Sequence, residues 1–266
     1  MGKIEKSFFD IDSLETLSFQ KTFIHSIDAR VKIITSIIFI ITILSFNKYT
    51  IAMLLPFFIY PIFILNTGNI PVTIILKKIL ILSPFILVIG IFNPFLDHAK
   101  IYNFNSFYIT GGWISFLSIL MRFFLTVSIS FILISVTGFY CICIALNKIG
   151  IPSIFSLQLM LMYRYIFLLI EESFRLVLAY KLRSFSNKIK LKHFIYIISQ
   201  LLIRTIDRAE NIYNAMLARG FDGKLKIIID KKINLKDVIF LITWVAYFIF
   251  FRFINIPRFF GKIITG

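Results

Sequence analysis

Residues 154–183 read IFSLQLMLMYRYIFLLIEESFRLVLAYKLR, and the fold turns on how that run is understood. Ile154 to Ile170 is apolar enough to be taken for a membrane span. Gln158 and Arg164 lie in its middle, however, and the next turn carries Glu171, Glu172 and Arg175. An arginine at the bilayer centre costs about 2.5–3.5 kcal/mol on insertion scales. The helical pattern also continues unbroken into Lys181 and Arg183. The run therefore reads as an apolar helix lying on the inner membrane surface and against neighbouring subunits. A second helix of the same character is expected over 193–219, with Arg204, Asp207, Arg208, Ala209, Glu210, Ala215 and Met216. The first helix closes on Leu182-Arg183-Ser184 and the second on Ala218-Arg219-Gly220.

Outward from this pair, composition sets the class. The 266 residues are 59% hydrophobic, with 32 Phe, against roughly 45–50% apolar residues in soluble domains. So much apolar area must face lipid or partner helices, which makes the chain an integral membrane protein. Its net charge of +16 is not clustered as a nucleic-acid groove requires, and fits the excess of Lys and Arg on cytoplasmic loops. Cys141 and Cys143 fall on nearly opposite faces of a helix and read as packing thiols. Residues 1–30 lack an early apolar core, so they form a cytoplasmic N-terminal segment, not a signal peptide.

Four transmembrane helices are expected within 31–137. The runs are Val31–Phe46, Ile51–Leu65 (kinked at Pro56 and Pro61), Ile79–Leu96 and Trp113–Thr137. A turn-rich loop, Asn66 to Lys78, holds the Lys77-Lys78 pair, and Asp97 to Gly112 reads as an external loop. Arg122, well inside the fourth run, either snorkels to the outer face or touches a partner subunit. Residues 138–224 then form a cytoplasmic coupling domain containing the two arginine-ended helices. A connector follows over 225–236, a last span over 237–256, and a tail over 257–266 with Arg258 and Lys262. The fold class is thus all-α, a polytopic membrane protein with about five transmembrane helices plus long cytoplasmic coupling helices. Loop charges place the N-terminus in the cytoplasm.

A helix end gathers unpaired carbonyls and partial negative charge, so each terminal arginine is locally stabilising. Gly220 suits the left-handed residue that often closes a helix. Two such ends, slimmed by Ser184, Ala218 and Gly220, also suit reversible docking, because guanidinium makes forked contacts with carboxylates or carbonyls.

Arg208-Ala209-Glu210 and Ala215-Met216-Leu217-Ala218-Arg219-Gly220-Phe221-Asp222-Gly223 resemble the signature of the transmembrane T components of energy-coupling factor transporters. Leu182-Arg183-Ser184 resembles the first arginine motif of that family but departs from its Ala-Arg-Gly form. His25, Asp28, Arg30 and Lys32 are similar to the segment leading into the first span of the CbiQ-type branch. So are Gly112-Trp113, Arg122, and Tyr163-Arg164-Tyr165 with Glu171-Glu172. The resemblance implies a coupling scaffold of an ATP-driven importer in a prokaryotic cytoplasmic membrane. Its cargo would be cobalt, with nickel or a vitamin as alternatives. The implied partners are two ATPase subunits, which bind ATP and Mg, and a substrate-binding S component (CbiM-like, with a CbiN-like small subunit). Arg183, Ser184, Ala218, Arg219 and Gly220 would dock the ATPases, while Leu157, Met160, Leu161, Phe167 and Arg122 would meet the S component.

The chain has no Gly-rich phosphate loop with Lys and Ser or Thr. Its histidines, His25, His98 and His193, lie in distant segments, so no cofactor or metal is expected in this chain. Ion pairs along the coupling helices are expected among Arg164, Glu171, Glu172, Arg175, Asp207, Arg208 and Glu210. The alternative of another class is a membrane enzyme using Asp207 and Glu210 with a divalent metal.

Overall fold

A computed structural model describes residues 15–48, 50–96, 100–104, 107–184, 190–223 and 233–253. His98, Lys188, Ile189, Lys224, Arg258, Lys262, most of the connector and the tail lie outside the described residues. The chain divides into two compact units: Met1–Ala145 with Lys231–Gly266, and Leu146–Asp230.

The first unit is a bundle of helices with one short β-hairpin. A short helix α1 (Phe23–Ser26) leads to α2 (Ala29–Leu44), a 3-10 helix (Ala52–Phe58) and α3 (Ile59–Thr67). Next come α4 (Val72–Ile91), the single turn α5 (Asn93–Leu96), and strands β1 (Lys100–Phe104) and β2 (Phe107–Thr110). The helices α6 (Gly111–Thr137), α7 (Phe139–Ile149) and α10 (Leu235–Phe253) complete it, α7 running across the boundary between the units. The strands pair antiparallel, so part of the expected external loop is a hairpin. Gly111 and Gly112 already belong to α6.

Proline sets several of these boundaries. In the run expected to kink, the 3-10 helix contains Pro56, and Pro61 falls in the first turn of α3, where the helix changes type. The carbonyl of Pro56 accepts the Tyr247 hydroxyl at 2.9 Å. The third span begins earlier than expected. Pro71 stands at its N-cap and α4 starts at Val72, so Lys77 and Lys78 are helical, not in a loop. Their long stems let a helix carry them near an interface while the ammonium groups reach water. At the other end α4 stops at Ile91, with Pro94 starting a separate turn instead of extending the span.

The core is aromatic. Phe39, Phe57, Tyr60 and Phe248 are all buried, and the ring of Phe39 lies 4.9 Å from Tyr60 and 5.3 Å from Phe248. Trp244 stands edge-on to Tyr60 at 4.6 Å. The Tyr60 hydroxyl, buried among these rings, donates to Thr35 Oγ1 at 3.2 Å. Where α4 meets α6, Gly90 lies against Phe116. A Cβ there would come within 2.7 Å of the ring.

Polar contacts at both ends fix the directions of the helices. Asp28 caps α2 by accepting the Arg30 N–H at 2.8 Å. Its own N–H donates to Asp237 Oδ1 at 3.0 Å, and Asp237 Oδ2 accepts the Asn234 N–H at 2.8 Å. Buried Lys32 donates to Val136 O at 3.3 Å, covering a carbonyl at the C-terminus of α6. At the far end Arg252 Nη2 reaches Ser45 O at 2.9 Å and its guanidinium lies 4.5 Å from the Phe46 ring centre. Arg122 Nη2 reaches Asn47 O at 2.6 Å. The first and last helices of the bundle therefore run parallel, and α6 runs against both.

By length and composition, three described helices can cross a membrane: Val72–Ile91, Gly111–Thr137 and Ser153–Arg183. The first overlaps the expected span Ile79–Leu96 and the second contains the expected span Trp113–Thr137. The third is the run that the sequence places on the membrane surface. α2, with 16 residues, is about 24 Å long, shorter than the ~30 Å hydrocarbon core. α10 is 19 residues long and carries charges at both ends: Lys236, Asp237 and Arg252.

Candidate functional site: an antiparallel helix pair with exposed arginine ends

The second unit contains α8 (Ser153–Arg183, 31 residues) and α9 (Leu191–Ala218, 28 residues). Pro152, in an extended conformation, sets the start of α8. Apolar residues then recur three and four apart: Ile154, Leu157, Leu161, Tyr165, Leu168. The facing stripe on α9 is Thr205, Ala209, Ile212 and Met216. Together they line a groove of about 450 Å³ with almost no polar surface.

The contacts give the direction of the pair. Ile154 and Leu157 share the groove with Met216 and Phe221. Farther along, Glu172 pairs with Arg204, and the Tyr180 ring lies 5.3 Å from His193. Positions rise on α8 as they fall on α9, so the helices are antiparallel. Arg183 therefore sits at one end of the pair, beside the start of α9. Arg219 sits at the other end, beside the start of α8. The 28 residues of α9 correspond to about 42 Å between the two ends. Both arginines are exposed.

The ends are built differently. Arg219 is the C-cap of α9, and the turn beyond it closes by two bonds. Gly220 N–H donates to Leu217 O at 2.9 Å, and Phe221 N–H to Met216 O at 3.1 Å. This paired closure needs a left-handed residue, and Gly220 has φ +77°. Phe221 and Met216 both line the groove, so the loop holding Arg219 is packed as well as hydrogen-bonded. Arg183 is the last helical residue of α8. Ser184 N–H donates to Tyr180 O at 2.9 Å and the chain leaves in an extended conformation. No left-handed residue is needed there, in keeping with Ser184 in place of glycine.

The expected ion pairs form only in part. Glu171 pairs with Arg175 one turn on. Glu172 pairs across the helices with Arg204, which is not among the residues expected to pair. Arg164 instead lies over the Tyr165 ring at 5.9 Å. Asp207, Arg208 and Glu210 are exposed and make no salt bridge among the described residues. Exposed charges of this kind gain little from pairing. Among the described residues no three His, Cys, Asp or Glu side chains come together in a group suited to a metal. Among those residues Asp207 and Glu210 gain no third metal-ligating side chain.

The residues expected to meet an S component divide between two faces. Leu157 and Leu161 line the groove between α8 and α9. Met160 and Phe167 do not, and Phe167 packs edge-on against Tyr163 at 5.2 Å. Arg122 belongs to the first unit and is bound to Asn47 O. Of the two cysteines, Cys141 is exposed and Cys143 buried, and burial pushes the Cys143 thiol above its ordinary pKa.

A largely helical, multi-pass membrane protein that carries an antiparallel helix pair with exposed arginine ends is the class these features define. The chain belongs to the CbiQ family of cobalt transport proteins, which matches residues 20–230. It is also similar to an uncharacterised protein of Methanocaldococcus jannaschii, with 30% identity over 240 residues, covering 82% of this chain and 78% of that one.

Proposed function

We propose that this chain is the energy-coupling scaffold of an ATP-driven cobalt importer. In this reading α8 and α9 are levers on the cytoplasmic side, and α2, the 3-10 helix with α3, α4, α6 and α10 are five spans. An N-terminus in the cytoplasm then puts the end of α10 on the opposite side. Arg183 and Arg219 each dock on one subunit of an ATPase pair that binds ATP and Mg, and closure of that pair moves the levers. A substrate-binding S component (CbiM-like, with a CbiN-like small subunit) receives the motion through the apolar faces of α8.

One observation carries this reading: two exposed guanidinium groups at opposite ends of an antiparallel pair about 42 Å long. A single binding pocket cannot take both, whereas a two-subunit engine offers two separated grooves. Arg164 midway along α8 and Glu171-Glu172 in its second half favour a surface position over a crossing. The family supports cobalt as cargo.

The test is co-purification of the ATPase subunits with the full chain. Arg183→Glu together with Arg219→Glu is expected to release them, while each single change weakens the complex. Retention at normal stoichiometry by the double variant overturns the assignment.

A further inference from the structure

The bundle has a second apolar concavity, about 500 Å³, in a part of the molecule the coupling role does not use. It is lined by Ile59 and Phe63 of α3, by Phe23, and by one face of α10 from Lys236 to Tyr247. On α10 the lining residues follow helical spacing: Lys236, Ile239 with Phe240, Thr243 with Trp244, then Tyr247. The floor is closely packed: Trp244 lies edge-on to Tyr60 and tilted against Phe63 and Phe248. Tyr247 is tied through its hydroxyl to Pro56 O. Around the opening, Phe23, Ile59 and Ile239 keep about half of their surface exposed.

We propose that this groove seats one acyl chain of an anionic phospholipid whose headgroup pairs with Lys236. Three observations agree on that occupant. Lys236 is the one charged residue of the lining and stands at the end of the groove, in the first turn of α10. From Lys236 to Tyr247 the groove runs about 16 Å at 1.5 Å per residue, close to half of the ~30 Å hydrocarbon core, which is the depth of one leaflet. The N–H of Asp28 bonds to Asp237, so Lys236 lies at the face where α2 and α10 both begin, the level of headgroups. An ammonium there pairs with a phosphate while apolar walls take the chain.

Trp244 makes the proposal testable in the intact chain, since Trp113 is the only other tryptophan and is largely exposed. The full chain carrying Trp113→Phe is placed in bilayers with increasing mole fractions of phosphatidylglycerol or phosphatidylcholine brominated on the acyl chains. Phosphatidylglycerol is expected to quench Trp244 at a several-fold lower mole fraction. Lys236→Glu should bring the two curves together, and Thr243→Phe should reduce quenching by both by filling the groove. Lys77→Glu, away from the groove, should leave the preference in place. Native mass spectrometry of the unsubstituted chain should show one retained phosphatidylglycerol that Lys236→Glu loses. Equal curves for the two lipids, or a preference that survives Lys236→Glu, overturns the proposal. Absence of quenching by either lipid assigns the groove to a protein helix and overturns it too.

Discussion

The two units bury their side chains to very different degrees. In the bundle, α2 alone buries seven residues and α6 eleven. In the helix pair, α8 buries only Ser156 and α9 buries none. Yet Leu182, Leu191, Tyr196 and Leu202 of the pair are each at least 59% exposed. An isolated pair of helices has no third layer to cover such residues. The bundle is thus held by its own interior, whereas the pair leaves most of its apolar side chains open.

Truncation separates the two most sharply. Phe248→Ala removes a fully buried ring that touches Phe39, Phe57 and Tyr60. Lipid is as apolar as the protein interior, so the loss is mainly packing and cavity, about 2–4 kcal/mol. Leu202→Ala, at 59% exposure in α9, should change stability by less than about 0.5 kcal/mol. Thermal unfolding of the purified chain in one detergent measures both. Equal shifts for the two variants would mean that the pair has a hidden core of its own.

Asp237→Ala comes next. The carboxylate is buried and accepts N–H groups of Asn234 and Asp28, joining the start of α10 to the start of α2. Leaving those donors without a partner costs about 1–3 kcal/mol. Hydrogen exchange should show the Asp28 amide losing protection while the amides of α9 are unaffected.

Gly220→Ala probes the pair where it is most constrained. Its Cβ would meet nothing within 4 Å, so crowding plays no part. The cost is the left-handed backbone at φ +77°, about 1 kcal/mol. Far-ultraviolet circular dichroism should show fraying at the end of α9, and ATPase co-purification should weaken more than in Ser184→Ala, whose backbone is extended.

What the sequence reveals and what it hides divides along similar lines. The arginine ends, Gly220 and the start of α8 at Pro152 are local signals, carried by neighbours within a few residues. So is Asp28 as the cap of α2. The bond from Asp28 to Asp237 spans 209 positions, and Arg252 to Ser45 spans 207. Nothing in either stretch specifies the other, so the parallel course of α2 and α10 emerges only from the fold. Lys77 and Lys78 misled for a different reason. Charge alone does not end a span: a helix started by Pro71 carries Lys77 exposed and Lys78 half-buried. Glu172 finds Arg204 on the neighbouring helix, 32 positions away, a pairing that no local spacing singles out from Arg164 and Arg175 on its own helix.

The smallest expected effect is a pH dependence confined to the segment that leads into the bundle. His25 Nε2 lies 3.1 Å from Leu17 O, which can only accept, so that nitrogen carries the proton and Nδ1 accepts from the Thr22 hydroxyl at 2.7 Å. Burial, and then the positive charge of Lys32, lower the pKa of His25 against the weaker opposing pull of the Leu17 carbonyl. Below the ordinary value of 6.5 the unfolded chain takes up a proton that the folded chain resists. Stability is therefore full above 6.5, falls as the pH drops toward the lowered folded value, and levels off beneath it. His25→Asn should flatten that part of the stability profile measured by denaturant titration between pH 5 and 7.5. An unchanged slope in the variant would show that the dependence arises elsewhere, and the lead-in segment would then be as indifferent to pH as a hydrated surface.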